Sequence, residues 1–490
     1  MVKLWFLGIF VFIMLFAGFI GFRKTKTVDD FILGGRKVGP WLSAFAYGTT
    51  YFSAVLFIGY AGKVGFSFGL PALWIAIGNA VIGSFLAWKV LAKPTRQMTQ
   101  QLNVRTMPEF LAKRYDLPLY KPLAALIIFV FLVPYSASVY MGLSYLFEAV
   151  FGLPYLFALL LMAGLTAIYL LLGGYFAVAL TDFIQGIIML GGVFLMVIYL
   201  VKAPEVGGFA NIYHKLSAIN PDFTSLFGGQ GVSSLLFLML LTSFGSWGLP
   251  QMVQKFYAIR DEKAIMPATW VSTFFALVIA GGAYFTGALT PLFFKSLPVD
   301  PATGKPTPDL LVPQLIAHHL PEWVGALILL LVLSASMSTL SSLVLVSSSA
   351  VAVDLLGENK FFKDKGSYQV LALRLLTVLF IFLSVIIALF KPAIILSLMA
   401  ISWGAVSGSF FAPYFYGLFF RRVSAAGAVA GTLTGLLTVL ILAINHGFDA
   451  KILPVVGVYG IFLPFLVVPL VSFLVPAKES STVKLLFEEQ

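Results

Sequence analysis

The stretch Ser334-Ala335-Ser336-Met337-Ser338-Thr339-Leu340-Ser341-Ser342 places six hydroxyls inside a run that is otherwise apolar over the length of a helix. On a helix, Ala335, Ser338, Thr339 and Ser342 share one face through three- and four-residue spacing, so their oxygens point at one neighbour. In hydrocarbon such a stripe has to face protein, water or an ion. A cluster of hard, neutral oxygens of this kind suits a hard cation.

The remainder of the chain identifies lipid as the solvent. Of 490 residues, 60% are hydrophobic, 15% aromatic and 10% charged, and mean hydropathy is +0.99. Roughly 20 apolar residues cross a bilayer, so apolar segments account for most of the length. The expectation is one polytopic, all-α membrane domain over residues 1–490. The absence of cysteine excludes disulfides, thiolate metal sites and cysteine nucleophiles.

Apolar runs bounded by charge, Gly or Pro predict 13 transmembrane helices. The first seven are Leu4–Phe22, Trp41–Gly62, Leu70–Leu91, Leu123–Phe151, Pro154–Leu172, Ala177–Val201 and Ser233–Phe256. The other six are Thr269–Phe294, Trp323–Leu356, Val370–Phe390, Pro392–Phe420, Ala425–Ile444 and Ile452–Val475. Leu4–Phe22 has only Lys3 ahead of it, no small-residue cleavage pattern and the length to span, so it reads as a retained helix and not a secretory signal.

The net charge of +11 is a topology signal. One set of alternate loops holds 21 lysines and arginines: Arg23, Lys24, Lys26, Arg36, Lys37; Lys93, Arg96, Arg105, Lys113, Arg114, Lys121; Lys255, Arg260, Lys263; Lys360, Lys363, Lys365; Arg421, Arg422; Lys478 and Lys484. The opposite set holds 8, namely Lys3, Lys63, Lys202, Lys215, Lys295, Lys305, Lys391 and Lys451. The positive-inside rule then places the N-terminus outside the cell membrane and the C-terminus in the cytoplasm. Nucleic-acid binding would need these charges gathered on a soluble face, and it is not expected.

Two segments combine glycine and hydroxyls at mid-membrane depth: Ala46-Tyr47-Gly48-Thr49-Thr50-Tyr51-Phe52-Ser53 in the second helix and Thr242-Ser243-Phe244-Gly245-Ser246-Trp247-Gly248-Leu249-Pro250 in the seventh. Broken helices there would expose carbonyls and half-helix ends. An odd number of crossings separates them, so they run in opposite senses, as the first members of two inverted repeats would. Gly and Ser also serve close helix packing, and it is the matched positions that favour the transporter pattern.

A third feature is Gly173-Gly174-Tyr175-Phe176-Ala177-Val178-Ala179-Leu180-Thr181-Asp182-Phe183-Ile184-Gln185-Gly186, which opens the sixth helix from its cytoplasmic end. Asp182 lies about two turns inside, where an acid needs a cation, water or a donor. The alternatives are a cap through Thr181 or a pair with a loop lysine.

Three segments carry a resemblance: Asp29-Asp30-Phe31-Ile32-Leu33-Gly34-Gly35-Arg36, the Gly-Gly…Ala-Val…Thr-Asp…Gln-Gly segment, and Met337-Ser338-Thr339-Leu340-Ser341. In this order they are similar to the sodium:solute symporter family, which includes sodium-coupled proline, galactose, pantothenate and sialic acid transporters. The resemblance implies a leucine-transporter-type core of two five-helix inverted repeats over 41–201 and 233–420. Outside it lie a peripheral helix over 4–22, two more over 425–475 and a cytoplasmic tail over 476–490. It further implies a sodium site formed by the carbonyls of Thr49, Phe52 and Ala335 with the hydroxyls of Ser338 and Thr339. A second sodium site, as in some members, would use Asp182, Ser338, Ser341 and Ser342. Sodium is then a co-transported ion and not a catalytic cofactor. Back-bonding of the serines to helix carbonyls is the bland alternative.

Where the proline-transporting branch carries Asp this chain has Tyr51, and where that branch carries Trp and Tyr it has Thr242 and Ser246. These differences point away from proline. A pocket of Tyr51, Ser53, Thr242, Ser243, Ser246, Trp247, Ser402 and Trp403 suits a small polar solute, an amino acid or small carboxylate, held by hydroxyls and half-helix ends. Sugar, sialic acid or vitamin transport, with sodium or proton coupling, is the second reading. A channel or solute sensor on the same fold is a more remote one. The expected function is sodium-coupled symport into the cytoplasm by alternating access, for which a monomer suffices. No paired carboxylates or nucleophile–base constellation occurs among the spans, so an enzyme is not expected. His214, His318, His319 and His446 fall in or beside predicted external loops.

Overall fold

The computed structural model describes residues 2–24, 32–172, 175–301, 303–356, 366–477 and 486–487. Among them the chain is helical apart from isolated bridges between Val38 and Ile259 and between Val299 and Pro306. The motif residues Asp29, Asp30, Phe31, Gly173 and Gly174, the loop lysines Lys26, Lys360, Lys363, Lys365, Lys478 and Lys484, and most of the expected tail lie outside the described residues.

In chain order the helices are α1 (Val2–Lys24), α2 (Pro40–Tyr51), α3 (Val55–Phe68), α4 (Leu70–Gln101), α5 (Met107–Arg114) and α6 (Tyr120–Phe151). They continue as α7 (Tyr155–Leu172), α8 (Tyr175–Lys202), α9 (Phe209–Ile219), α10 (Val232–Gly248), α11 (Pro250–Ala258) and α12 (Glu262–Leu292). The last six are α13 (Leu311–His319), α14 (Glu322–Leu355), α15 (Gly366–Phe390), α16 (Ile395–Phe419), α17 (Ala425–Asn445) and α18 (Leu453–Leu474). Among the described residues nine helices are long and apolar enough to cross a membrane, and the bent pairs α2/α3 and α10/α11 bring the number to 11. The two other predicted spans coincide with α1 and α7, whose apolar stretches Trp5–Phe16 and Tyr155–Ile168 are shorter.

Hydropathy locates a helix only while it is in lipid. Thus α4 runs on past the predicted end at Leu91 through Lys93–Gln101, a polar stretch in which Lys, Arg, Gln and Met favour helix and Pro94 sits in the first turn of the extension. The short helices α5, α9 and α13 escaped prediction for the same reason. At the centre, 94% of the apolar window of α14 and of α16 is buried, against 33% for α15; the hydroxyl stripe therefore faces protein on every side. Helix α14 packs on α8, α6, α2 and α1. A backbone crossing sets the position of α3: a Cβ on Gly65 would lie 1.9 Å from the carbonyl carbon of Gly287 in α12, so only glycine permits this approach.

Candidate functional site

Both bent pairs break where the sequence places glycine and hydroxyls. Between α2 and α3, Phe52 is extended (φ −115°, ψ 115°) and the bend is 42°. The freed N–H groups find partners at once. Val55 N donates to Ser53 Oγ at 3.2 Å, and Ala54 N donates to Ser336 Oγ of α14 at 3.1 Å. Helix α3 then starts with a π-helical stretch, Val55–Tyr60, a feature common at functional sites. Between α10 and α11 the bend is 47°. Here Pro250 is the cause, because its ring drives Leu249 out of the helical region (φ −81°, ψ 121°).

The first break meets α14 in a cluster of oxygens. Ser338 donates to Thr49 Oγ1 at 2.7 Å, and Thr49 Oγ1 donates to Phe45 O at 2.8 Å. Thr339 Oγ1 lies 3.3 Å from Thr49 O, 3.1 Å from Thr50 O and 3.1 Å from Ala335 O. A single hydroxyl hydrogen can serve one of these carbonyls, so acceptors outnumber donors in a site where Thr49, Ser338, Thr339 and Ala335 are all fully buried. A cation is the group that such a surplus accommodates. Four of the five predicted sodium ligands thus gather. The fifth, Phe52, sits at the break itself, so its carbonyl is released from helical bonding. Back-bonding is present beside this arrangement: Ser336 donates to Val332 O at 2.7 Å and Ser341 to Ser338 O at 2.8 Å.

Beside the predicted second ion site stands a residue that the charge pattern counts with a cytoplasmic loop, at the last turn of the seventh predicted span. Lys255, on α11, is 1% exposed and donates from Nζ to Ser342 Oγ at 3.0 Å. Its ammonium lies 5.1 Å from the Tyr175 ring centroid. Ser342 Oγ also bonds with Thr50 Oγ1 at 2.9 Å. Asp182 is fully buried, and neither of its carboxylate oxygens has a hydrogen-bond partner within 3.5 Å; Lys255 is an opposite charge acting on it without a direct ion pair. Thr181 turns instead to Ala177 O and Val178 O. Ser341 and Ser338 complete the predicted set.

Four of the predicted solute contacts, Tyr51, Ser53, Thr242 and Trp403, line one central pocket together with Phe52, Leu56, Tyr60, Asn79, Tyr135, Tyr284 and Met399. No charged side chain lines it. Its hydroxyls are largely committed to each other. Tyr51 Oη donates to Thr242 O at 2.7 Å, and Asn79 Oδ1 lies 2.9 Å from Thr242 Oγ1, 3.2 Å from Ser243 Oγ and 3.3 Å from Tyr51 Oη. What remains is an aromatic box in which Tyr51 stacks on Phe52 at 4.4 Å, with Trp403 6.1 Å from Tyr51 and 5.7 Å from Tyr135. Ser246 and Trp247 bond to the α4 carbonyls of Gly83 and Ile82 at 3.2 and 3.0 Å, and Ser402 donates to Phe131 O at 2.5 Å; these three hold neighbouring helices. Asn79, a lone amide in an apolar run, was visible in the sequence. Tyr135 and Tyr284 carry no signal that separates them from the many other aromatic residues.

The pocket encloses about 20 Å³, room for a water. A larger cavity of about 270 Å³ lies next to it. Tyr60, Thr242 and Met399 of the pocket give way to Val64, Leu238 and Leu396 of the cavity, one helical turn along α3, α10 and α16. Lys63 and Lys451, which the charge pattern assigns to the external side, line this cavity. Towards the opposite end, Gln254 and Tyr257 of α11 and Val346 and Ser349 of α14 border a cavity of about 20 Å³.

Comparison with known proteins bears on the family and the fold. The profile of the sodium:solute symporter family matches residues 31–435. The osmoregulated proline transporter OpuE of Bacillus subtilis is 32% identical over 485 residues, covering 97% of this chain and 95% of its own. The sodium/proline symporter of Staphylococcus aureus (strain JH9) is 30% identical over 488 residues, covering 96% of this chain and 91% of its own. Among solved structures, a Na+-coupled sialic acid symporter in a substrate-bound outward-open state superposes with a TM-score of 0.80 at 18% identity, over 98% of this chain and 99% of that one. The nucleobase-cation-symport-1 transporter Mhp1 in a closed conformation superposes with a TM-score of 0.54 at 14% identity, over 93% of this chain and 97% of that one. The fold is therefore of the leucine-transporter type, and these relatives are transporters, not enzymes.

Proposed function

The chain belongs to the sodium:solute symporter family, and from that premise we propose that it carries a small zwitterionic amino acid into the cell together with sodium, proline being the first solute to test. The observation that supports this most directly is the continuity of two sites along one broken helix. Thr49 and Thr50 present carbonyls to Thr339, and the next three residues, Tyr51, Phe52 and Ser53, line the central pocket. An ion that orders this segment orders the solute wall as well.

The class of solute follows from the pocket's lining. An uncharged, mainly aromatic box suits an apolar ring or short side chain, and the positive end of a half-helix dipole beside it favours a carboxylate even though its first N–H groups already have partners. A sugar or sialic acid, with many hydroxyls, would need free polar partners; here Tyr51, Thr242, Ser243 and Asn79 are engaged with one another. The same engagement weakens the argument against proline drawn from Tyr51, Thr242 and Ser246, because those side chains build the wall as a unit. The relatives named as proline transporters agree with this choice.

The cycle we assign is alternating access. Sodium entering from outside is held by Thr49, Phe52, Ala335, Ser338 and Thr339, and the solute is held by the aromatic box. Occupancy of both favours closure of the outer cavity and opening towards the cytoplasm, and the coupling is reciprocal by linkage. The membrane potential contributes about 2.3 kcal/mol per charge per 100 mV. The two repeats, over 41–201 and 233–420, are the bodies that move. The chain sits in the cell membrane with its N-terminus outside and its C-terminus in the cytoplasm, and one copy holds both sites.

Uptake of radiolabelled proline into proteoliposomes tests this, with other small amino acids, small carboxylates, sialic acid and galactose as competitors. Accumulation that requires sodium and is competed by small amino acids is the expected result. Uptake that persists when choline replaces sodium at fixed pH, or competition by sialic acid or galactose alone, overturns it.

A further inference from the structure

The position of Lys255 adds something that family membership does not supply. The seat that the family resemblance implies, Asp182 with Ser338, Ser341 and Ser342, would have the donor set of a second monovalent cation site, a carboxylate with three hydroxyls. In this chain an ammonium group already reaches it. Lys255 Nζ donates to Ser342 Oγ at 3.0 Å, and its side chain is 1% exposed, as buried as that of Asp182 at 0%.

Charge counting decides what such a seat can hold. An isolated buried carboxylate costs many kcal/mol, as does an isolated buried ammonium, so each needs a counter-charge close by. Neither carboxylate oxygen of Asp182 has a hydrogen-bond partner within 3.5 Å, with Ser338 the hydroxyl beside it, and Asp182 and Lys255 are opposite charges that act on each other across the buried interior without a direct ion pair. Together they are neutral. A sodium ion placed beside Asp182 would leave a net positive charge in a region without solvent, and it would compete with the ammonium for Ser342.

We propose that the Lys255 ammonium is the resident cation of the seat formed by Asp182, Ser338, Ser341 and Ser342, so that the chain couples a single sodium per cycle and gains a second sodium position only when Lys255 is replaced by a neutral residue. The inference rests on the reading of a sodium site at Thr49, Phe52, Ala335, Ser338 and Thr339. A tethered cation cannot be released, so it adds nothing to the charge moved per solute. It also ties together elements of both repeats. Lys255 stands on α11, Ser342 on α14 and Asp182 on α8, while Thr50 of α2 joins through Ser342. The cavity bordered by Gln254 and Val346 begins within a turn of Lys255 and Ser342, so the ammonium stands between the oxygen cluster at Thr339 and the side on which the ion would leave.

Equilibrium binding of radioactive sodium to the purified full-length chain tests the proposal. The wild type is expected to saturate non-cooperatively at one sodium per chain. Lys255→Met is expected to double the sodium bound at saturation, and the added position is expected to vanish in Lys255→Met/Asp182→Asn. Two sodium ions per wild-type chain overturn the proposal even if no variant folds, and so does a folded Lys255→Met chain that still binds one. Thr339→Ala in the wild type separates this from the underlying reading. If that variant keeps its sodium unchanged, the Thr339 site is wrong, while the comparison of Lys255→Met with its Asp182→Asn partner still stands or falls by itself.

Discussion

Ser338 on α14 and Thr49 on α2 are 289 residues apart in sequence, and their side-chain oxygens lie 2.7 Å apart where the two helices meet. This hydrogen bond and the convergence of Thr49 O, Thr50 O and Ala335 O on Thr339 Oγ1 join the broken helix to one of the two most deeply buried ones. Loosening this junction should act on the ion first and on the solute through it.

Removal of one oxygen ligand should weaken sodium without abolishing transport. Ser338→Ala and Thr339→Ala are each expected to raise the sodium concentration for half-maximal uptake about tenfold, the equivalent of about 1.4 kcal/mol. Thr339→Ser, which keeps the hydroxyl, should stay near wild type. Sodium titration of uptake in proteoliposomes checks all three, and an unchanged half-saturation in both alanine variants would remove the site.

The solute wall should respond separately. Tyr51→Phe keeps the ring stacked on Phe52 and deletes the 2.7 Å bond to Thr242 O, leaving a buried carbonyl short of its donor. At a typical cost of about 1 kcal/mol, solute KM should rise about fivefold at saturating sodium. Sodium half-saturation at saturating solute should hardly move. An equal effect on both would mean that Tyr51 belongs to the ion site.

The crossing of α3 and α12 tolerates no side chain. Gly65→Ala should destabilise the protein by about 1–3 kcal/mol through overpacking, since the added carbon meets backbone that cannot move aside. Gly164→Ala, in α7 with nothing within 4 Å of the added Cβ, is the matched control and should be neutral or slightly stabilising. Thermal unfolding of the two variants in one detergent compares them directly.

Asp309, in the short turn before α13, should make stability fall as pH rises. Burial pushes its carboxyl up to about 7. The Ile395 N–H and the Lys63 ammonium pull it down, Asp300 pushes it up, and Lys391 also pulls it down. Because the folded value lies above that of an unfolded aspartate, near 4, the folded state binds the proton more tightly. Its stabilising contribution is therefore complete below about pH 4 and is lost as pH rises to about 7. Asp309→Asn can still accept from Ile395 N, and it should flatten the change in melting temperature between pH 5 and 8 by a few degrees. An identical pH profile for the variant would show that another group is responsible.

Much of the architecture could be read along the chain, because a membrane span is a local property. Its length, its apolar content and the glycine, proline and hydroxyls that interrupt it lie within some 20 residues, and the bilayer fixes what they must do. The helix breaks at Phe52 and Leu249 and the oxygen-bearing face at Ser338 and Thr339 were legible for this reason. Hydropathy was blind to the polar extension Lys93–Gln101, which is as helical as the apolar part before it.

Which groups meet across helices was settled only by the tertiary structure. Asn79 sits among Thr242, Ser243 and Tyr51, which turns a hydroxyl-lined pocket into an aromatic one. Ser336 takes the N–H that the broken helix frees at Ala54. Lys255, by its position a loop charge, is drawn into the bundle beside Asp182 and Ser342. In each case a buried polar group had to find its partner on another helix, and the choice among many similar residues rests on how rigid helices pack, a relation between distant segments that no local pattern encodes.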